Sequence, residues 1–250
     1  MPPATTYHEP STIHTHTVVF LHGRGDNAKK FMQSLNYSRD SQNRPLADAF
    51  PSFRWVFPQA KLGRSVALGD KVSQWFDIWN VNNFADHEEH QAEGLRESVA
   101  AIREIITTEA ELLGGKWNRI ILAGISQGAA TGVHTLLNLR LPQGQSGLGA
   151  FVSFSSRMPF PGRNLTDTRA VLGLGDVPEG CPLLEHTPIL LEHCVDDPLV
   201  LVANGRILRD TLARFGAQVE WKEYQEGGHW FNSPSGMDDV VQFLNSHLSN

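Results

Sequence analysis

Ile120-Ile121-Leu122-Ala123-Gly124-Ile125-Ser126-Gln127-Gly128-Ala129-Ala130-Thr131 decides how this chain is read. An apolar run of strand length enters a Gly-x-Ser-x-Gly turn, and the residues from Ala129 to Leu137 leave it with the composition of a helix. Such a turn is so tight that a side chain two residues before or after the serine would collide with its neighbours. Glycine at 124 and 128 removes those side chains. The serine is then expected in a strained conformation, with its hydroxyl above the sheet at a helix start. There the positive end of the helix favours a developing negative charge. Ser126 is therefore a candidate nucleophile.

Outward from this turn, strand and helix patterns alternate. Thr17-Val18-Val19-Phe20-Leu21 reads as a buried strand running into the glycine-punctuated loop His22-Gly23-Arg24-Gly25-Asp26. Phe53 to Phe57 is a second strand, stopped at Pro58, and residues 60 to 85 show no period beyond the cluster Trp75-Phe76-Asp77-Ile78-Trp79. From Glu88 to Leu113 the apolar residues Leu95, Val99, Ile102 and Ile106 recur at helical spacing, and Gly114-Gly115 ends the run. Gly149 to Phe154, Pro188 to Cys194 and Val219 to Tyr224 read as strands. Leu199 to Phe215 and Met237 to Leu248 read as helices, and residues 157 to 187 are rich in Pro and Gly. The alternation predicts an α/β fold: a mainly parallel central sheet with helices on both faces. Residues 1–13 read as a polar N-terminal arm and residues 14–250 as a single domain.

Composition narrows the function classes. A chain of 250 residues with 40% apolar and 19% charged residues has ample material for one core. A net charge of -6 leaves no basic surface for nucleic acid or for anionic lipid. No apolar stretch approaches the about 18 residues needed to span a bilayer, and Met1 to Pro10 lacks the pattern of a secretion signal. A cytoplasmic protein without integral membrane association is expected. Cys194 closes an apolar run, which predicts a buried reduced thiol rather than a disulfide with Cys181.

A serine hydroxyl needs a base to take its proton, and the base needs a third group to orient it. When the elbow comes first, the acid and then the histidine follow on loops after later strands. Asp197, in Val195-Asp196-Asp197-Pro198, and His229, in Gly227-Gly228-His229-Trp230, meet that order, with Asp196 as the competitor for the acid. Among eleven histidines, His22, His134 and His193 lie in or beside regular elements, where a structural role is commoner. Acyl transfer also needs donors for an oxyanion. The backbone N–H groups of Gln127, after the nucleophile, and of Arg24, between two glycines, are the candidates.

Together, Leu21-His22-Gly23-Arg24-Gly25-Asp26, Trp75-Phe76-Asp77, Gly124-Ile125-Ser126-Gln127-Gly128-Ala129, Asp197-Pro198-Leu199-Val200 and Gly228-His229 resemble the acyl-protein thioesterase/carboxylesterase family over about residues 17 to 248. The resemblance implies an α/β-hydrolase core without a separate lid domain, and a triad of Ser126, Asp197 and His229. It also implies oxyanion donors at Arg24 and Gln127, no cofactor, and cleavage of small-molecule esters or thioesters, including S-acylated proteins or lysophospholipids. A monomer or weak homodimer is expected. Trp75 and Trp230, each beside a family motif, are candidate substrate-binding residues. The chain departs from the family at Arg24, usually apolar, where a cation favours a polar or acidic substrate. It departs again at His193-Cys194-Val195, at the bulky Trp230-Phe231, and in a long stretch from Pro161 to Thr187 expected to reshape the acyl channel. These departures keep two alternatives open: a lactone or natural-product ester hydrolase on the same triad, and a non-catalytic small-molecule receptor.

His87-Glu88-Glu89-His90 lacks the spacing that puts both histidines of a zinc helix on one side, and reads as a solvated first turn. No metal site is expected there or among His8, His14 and His16. Gly23-x-Gly25 does not extend into a dinucleotide fingerprint.

Overall fold

The apolar runs form the centre of a seven-stranded sheet in the computed structural model, which describes residues 3–176, 180 and 182–248. In chain order the strands are β1 (Thr5–His8), β2 (His16–Leu21) and β3 (Phe53–Pro58), then a small separate hairpin of β4 (Leu62–Arg64) and β5 (Lys71–Ser73). The sheet continues with β6 (Ile120–Ile125), β7 (Ala150–Phe154), β8 (Ile189–Cys194) and β9 (Val219–Tyr224). Spatially they run β1-β3-β2-β6-β7-β8-β9, and only β1 is antiparallel to its neighbour. The helices are α1 (Ala28–Leu35), α2 (Leu46–Ala49), α3 (Gln91–Leu112), α4 (Gln127–Asn138), α5 (Leu165–Ala170), α6 (Pro182–His186), α7 (Val202–Arg214) and α8 (Ser235–His247).

Alternate residues of each central strand feed opposite cores, because side chains along a strand point to opposite faces. Val19, Leu21, Ile120, Leu122, Ile189 and Leu191 pack beneath α3, α4 and α7. Val18, Phe20, Ile121, Ala123, Val152 and Leu190 pack beneath α1 and α8. Both faces of β2, β6, β7 and β8 are thus dry, which explains why each holds consecutive apolar residues in place of strict alternation. Burying each such side chain is worth about 1.5–3 kcal/mol. Among the described residues no helix is long and apolar enough to cross a membrane.

Several elements form where the sequence pattern predicts none. The polar arm contains β1, which pairs with β3 from Thr5↔Pro58 to His8↔Trp55; an edge strand exposed on one side carries no apolar run to betray it. Helix α1 lies in a stretch left unassigned: its buried residues are Ala28, Phe31 and Leu35, and the Asn27 side chain caps it by accepting from the Lys30 N–H. Residues 60–85 hold β4 and β5, whose three residues each are too few to show a period. Cys194 is a free buried thiol, pushed up to about 11 by burial and then by neighbouring carboxylates; Cys181 lies outside the described residues.

One buried acid sits away from the cavity. Glu192 on β8 has both carboxyl oxygens buried without a hydrogen-bond partner among the described residues, beside a Tyr224 hydroxyl that donates to Asp239 Oδ2 at 2.7 Å. Burial, reinforced by Asp239, raises its pKa well above 4.5. A group that holds its proton only when folded costs stability as pH rises above its unfolded pKa. Glu192→Gln should therefore raise the Tm at pH 8 by about 2–4 °C for each kcal/mol recovered. The gain should vanish near pH 4, and a gain independent of pH would contradict this protonation.

Candidate active site

Close backbone approach makes the elbow, and the glycines permit it. A Cβ at Gly124 would lie 2.6 Å from the Ala129 nitrogen, and one at Gly128 would meet the backbone oxygens of Leu21 and His22, the latter at 2.5 Å. The strand and the helix therefore fold back on one another only with glycine at both places. Between them Ser126 is held at φ 56°, ψ -124°, a region that L-residues rarely adopt. Its backbone N–H donates to Phe154 O at 2.9 Å, tying the turn to the end of β7. Gln127 opens α4, so its N–H precedes the helix's own hydrogen bonds.

The loop after β2 reaches the same point. A Cβ on Gly23 would sit 3.6 Å from Ser126 Cβ, in ordinary contact. Among the described residues neither the Arg24 nor the Gln127 backbone N–H has a hydrogen-bond partner. His22 holds the loop: its Nδ1 bonds Gly23 O at 2.8 Å while its Nε2 accepts the Ala60 N–H at 3.1 Å. Burial lowers its pKa, which keeps the ring neutral in this role. The Arg24 guanidinium donates from Nε to Gln74 Oε1 at 3.0 Å and from Nη2 to Ser65 Oγ at 2.9 Å, beside the β4–β5 hairpin.

Two loops after later strands bring the acid and the imidazole together. Asp197 is buried, and its Oδ2 accepts from His229 Nδ1 at 2.8 Å. Its Oδ1 accepts the N–H groups of Leu199 and Val200 at 2.8 and 2.9 Å. Burial alone would raise its pKa, but the bonds from His193, His229 and Val200 outweigh burial and hold it well below the carboxylate range. His193 Nε2 lies 3.3 Å from Asp197 Oδ2 and 2.7 Å from Val200 O, so this histidine braces the acid's loop. Asp196 does different work: its Oδ1 accepts the Gly228 N–H at 2.8 Å, fastening the glycine loop that presents His229.

Ser126 and His229 line one cavity of about 420 Å³ at the C-terminal ends of the strands, together with Gly23, Arg24 and Gln127. With Nδ1 turned to Asp197, His229 Nε2 has no hydrogen-bond partner among the described residues. The Ser126 hydroxyl has no hydrogen-bond partner among the described residues.

The family match decides the assignment: the model of the phospholipase/carboxylesterase family covers residues 5–248. The chain belongs to the phospholipase/carboxylesterase family. It is an α/β-hydrolase enzyme, a serine hydrolase of ester or thioester bonds. Within the family it is 28% identical to the acyl-protein thioesterase 1 of Gibberella zeae over 94% of this chain and 92% of that one. It is 27% identical to the Yarrowia lipolytica protein of the same name over 98% and 96%. The crystal structure of Zea mays acyl-protein thioesterase 2 superposes with a TM-score of 0.75 at 25% identity, over 99% of this chain and 100% of that one.

Against the family pattern, two expectations need correction. Trp75 does not line the cavity; its indole is buried, and Nε1 donates to His22 O at 2.8 Å. A large amphipathic ring beside a motif is as useful for bracing a loop as for touching substrate. The wall is formed instead by Phe76 and Ile78, held in place because the Gln127 side chain pairs with Trp75 N–H (2.9 Å) and Phe76 O (2.7 Å). Trp230 does line the cavity, with Nε1 donating to Ser38 Oγ at 3.0 Å. None of the described residues between Pro161 and Thr187 lines it; Leu172, Leu183 and Leu184 anchor that stretch in the core.

A further wall residue, Arg157, escapes the sequence reading. Only its place just past the end of β7, the neighbour of the elbow strand, signals a ligand-facing position. His87, Glu89 and His90 place one ligand atom each within 4.8 Å of one another on the exposed surface, although the spacing reading put no metal there. Glu89 and His90 lie in a 3-10 turn and His87 precedes it as its N-cap, rather than all facing one side of a helix.

Proposed function

We propose that this enzyme hydrolyses carboxylic esters or thioesters through an acyl-enzyme on Ser126, with His229 as base and Asp197 as its orienting acid. The observation that carries this reading is the 2.8 Å bond between His229 Nδ1 and Asp197 Oδ2 in the cavity that Ser126 also lines. The bond fixes the tautomer, leaving Nε2 to take a proton.

Ser126 Oγ attacks the carbonyl carbon as its proton passes to His229 Nε2, for which the two atoms must come within about 2.6–3.2 Å. The carbonyl oxygen becomes an oxyanion facing the backbone N–H groups of Gln127 and Arg24, each donor worth about 3 kcal/mol of barrier. His229 then gives its proton to the leaving oxygen or sulfur as that bond breaks. Water, deprotonated by the same nitrogen, attacks the acyl-enzyme and frees the acid. The fungal relatives named acyl-protein thioesterase 1 make S-acylated proteins a substrate class to test.

A panel of p-nitrophenyl esters of increasing chain length, simple lactones and a palmitoylated peptide tests the reading. Turnover of esters or the thioester above lactones is expected. Turnover confined to lactones, or binding without any turnover, would overturn it.

A further inference from the structure

We propose that Arg157 is the specificity-determining residue of the cavity: its guanidinium receives a carboxylate on the acyl part of the substrate, so the preferred substrates are half-esters or half-thioesters of dicarboxylic acids. The inference rests on the serine-hydrolase reading above and narrows it.

Arg157 is 6% exposed and lines the same cavity as Ser126. Its charge costs much to bury unless it is paired. Among the described residues, the partners it has are a side-chain amide and aromatic rings. Nη2 donates to Gln91 Oε1 at 2.7 Å, and the guanidinium carbon lies 4.1 Å from the Phe84 ring centre and 5.6 Å from that of Phe76. Among the described residues it forms no ion pair. The carboxylate that acts on it through space, Glu88, is itself bonded to Arg163 at 3.1 Å. Burial lowers its pKa to about 9, with Glu88 opposing, so it remains a cation at neutral pH. Gln91 is buried as well and donates from Nε2 to Phe84 O at 3.0 Å, which fixes the orientation of both the ring and the cation.

The result is a preoriented fork with donors unspent in a substrate cavity. A guanidinium matches a carboxylate through two parallel bonds, and the stack on Phe84 leaves its edge free to make them. Arg24, the cation expected to select acidic substrates, has instead committed its Nε and Nη2 to Gln74 and Ser65.

The layers of the fold place the carboxylate on the acyl side. Phe76 and Phe84, the partners of Arg157, belong to the apolar layer under α3 and α4. Trp230 and Phe231, which follow His229, belong to the layer on the other face of the sheet. The leaving group must face His229 to receive its proton, so a group that reaches Arg157 belongs to the part that stays on Ser126.

The test compares p-nitrophenyl half-esters of adipic, suberic and sebacic acids with the hexanoate, octanoate and decanoate esters of matching length. At the chain length that fits, the wild-type kcat/KM should favour the half-ester by about tenfold or more. In Arg157→Gln that ratio should fall toward one, with fluorophosphonate labelling of Ser126 showing that the variant is folded. Should the variant fail to fold, the wild type decides: free suberate should inhibit hydrolysis of p-nitrophenyl acetate more strongly than octanoate does. A wild type that favours the neutral ester at every length, or that is inhibited more by octanoate, overturns the inference while the hydrolase reading stands. Preference for a carboxylate on the alcohol part overturns the acyl-side assignment. Failure to turn over any ester, or turnover that survives Ser126→Ala, overturns the hydrolase reading itself.

Discussion

Replacing Ser126 with alanine is expected to lower kcat on every ester the enzyme turns over by a factor of about 10⁴–10⁶. The elbow would survive, since the Ser126 N–H still donates to Phe154 O and the glycines at 124 and 128 are untouched. Alanine also fits the φ 56° backbone no worse than serine does. What disappears is the oxygen proposed to form the acyl bond. The residual rate, from water attack beside the Arg24 and Gln127 amides, should exceed the uncatalysed rate because oxyanion stabilisation persists. Steady-state kinetics with matched Tm values decides the matter, and a variant within tenfold of wild type would exclude Ser126 as nucleophile.

The second large effect is expected at Asp197. In Asp197→Asn the side chain keeps its shape, and its carbonyl can still accept the Leu199 and Val200 N–H groups that the carboxylate accepts now. Its amide, however, would donate to His229 Nδ1 and force the proton onto Nε2, the atom proposed to receive the Ser126 proton. A loss of about 10⁴ in kcat follows from the wrong tautomer alone. Stability should report the same change. Asp197 has its pKa depressed in the folded state, so it stabilises the fold above its unfolded value near 3.8 and loses that contribution as pH falls. The Tm deficit of the variant should be full at pH 7 and should shrink below pH 4. Equal activity in the two proteins would assign the acid's role elsewhere, and Asp196, which fastens the Gly228 loop, would be the next residue to replace.

How much of this was legible in the sequence follows from the physics of each element. The four strands β2, β6, β7 and β8 are dry on both faces, and the runs of three or more apolar residues in them announce them. The elbow is legible because steric demands at Gly124 and Gly128 admit no other residue. Strand β1 and helix α1 were missed because one is an exposed edge and the other buries few side chains. At the site, chain order points to Asp197 and His229 as the proposed acid and base, since in this topology such groups fall after successive strands. Asp196 and Asp197, adjacent in sequence, point opposite ways in the fold: Asp197 pairs with His229 and Asp196 with the glycine loop. Trp75 and Arg157 show the remaining limit. Each lies just beside a recognisable element, and only packing across the molecule decides which faces the cavity.

Covalent capture tests the central claim most directly. The wild-type enzyme would be treated with a fluorophosphonate, digested, and its peptides sequenced by mass spectrometry. The account predicts a single phosphonyl adduct on Ser126, formed in step with loss of activity and absent from Ser126→Ala. An adduct on another residue that tracks inactivation, or full inactivation with Ser126 unmodified, would contradict it.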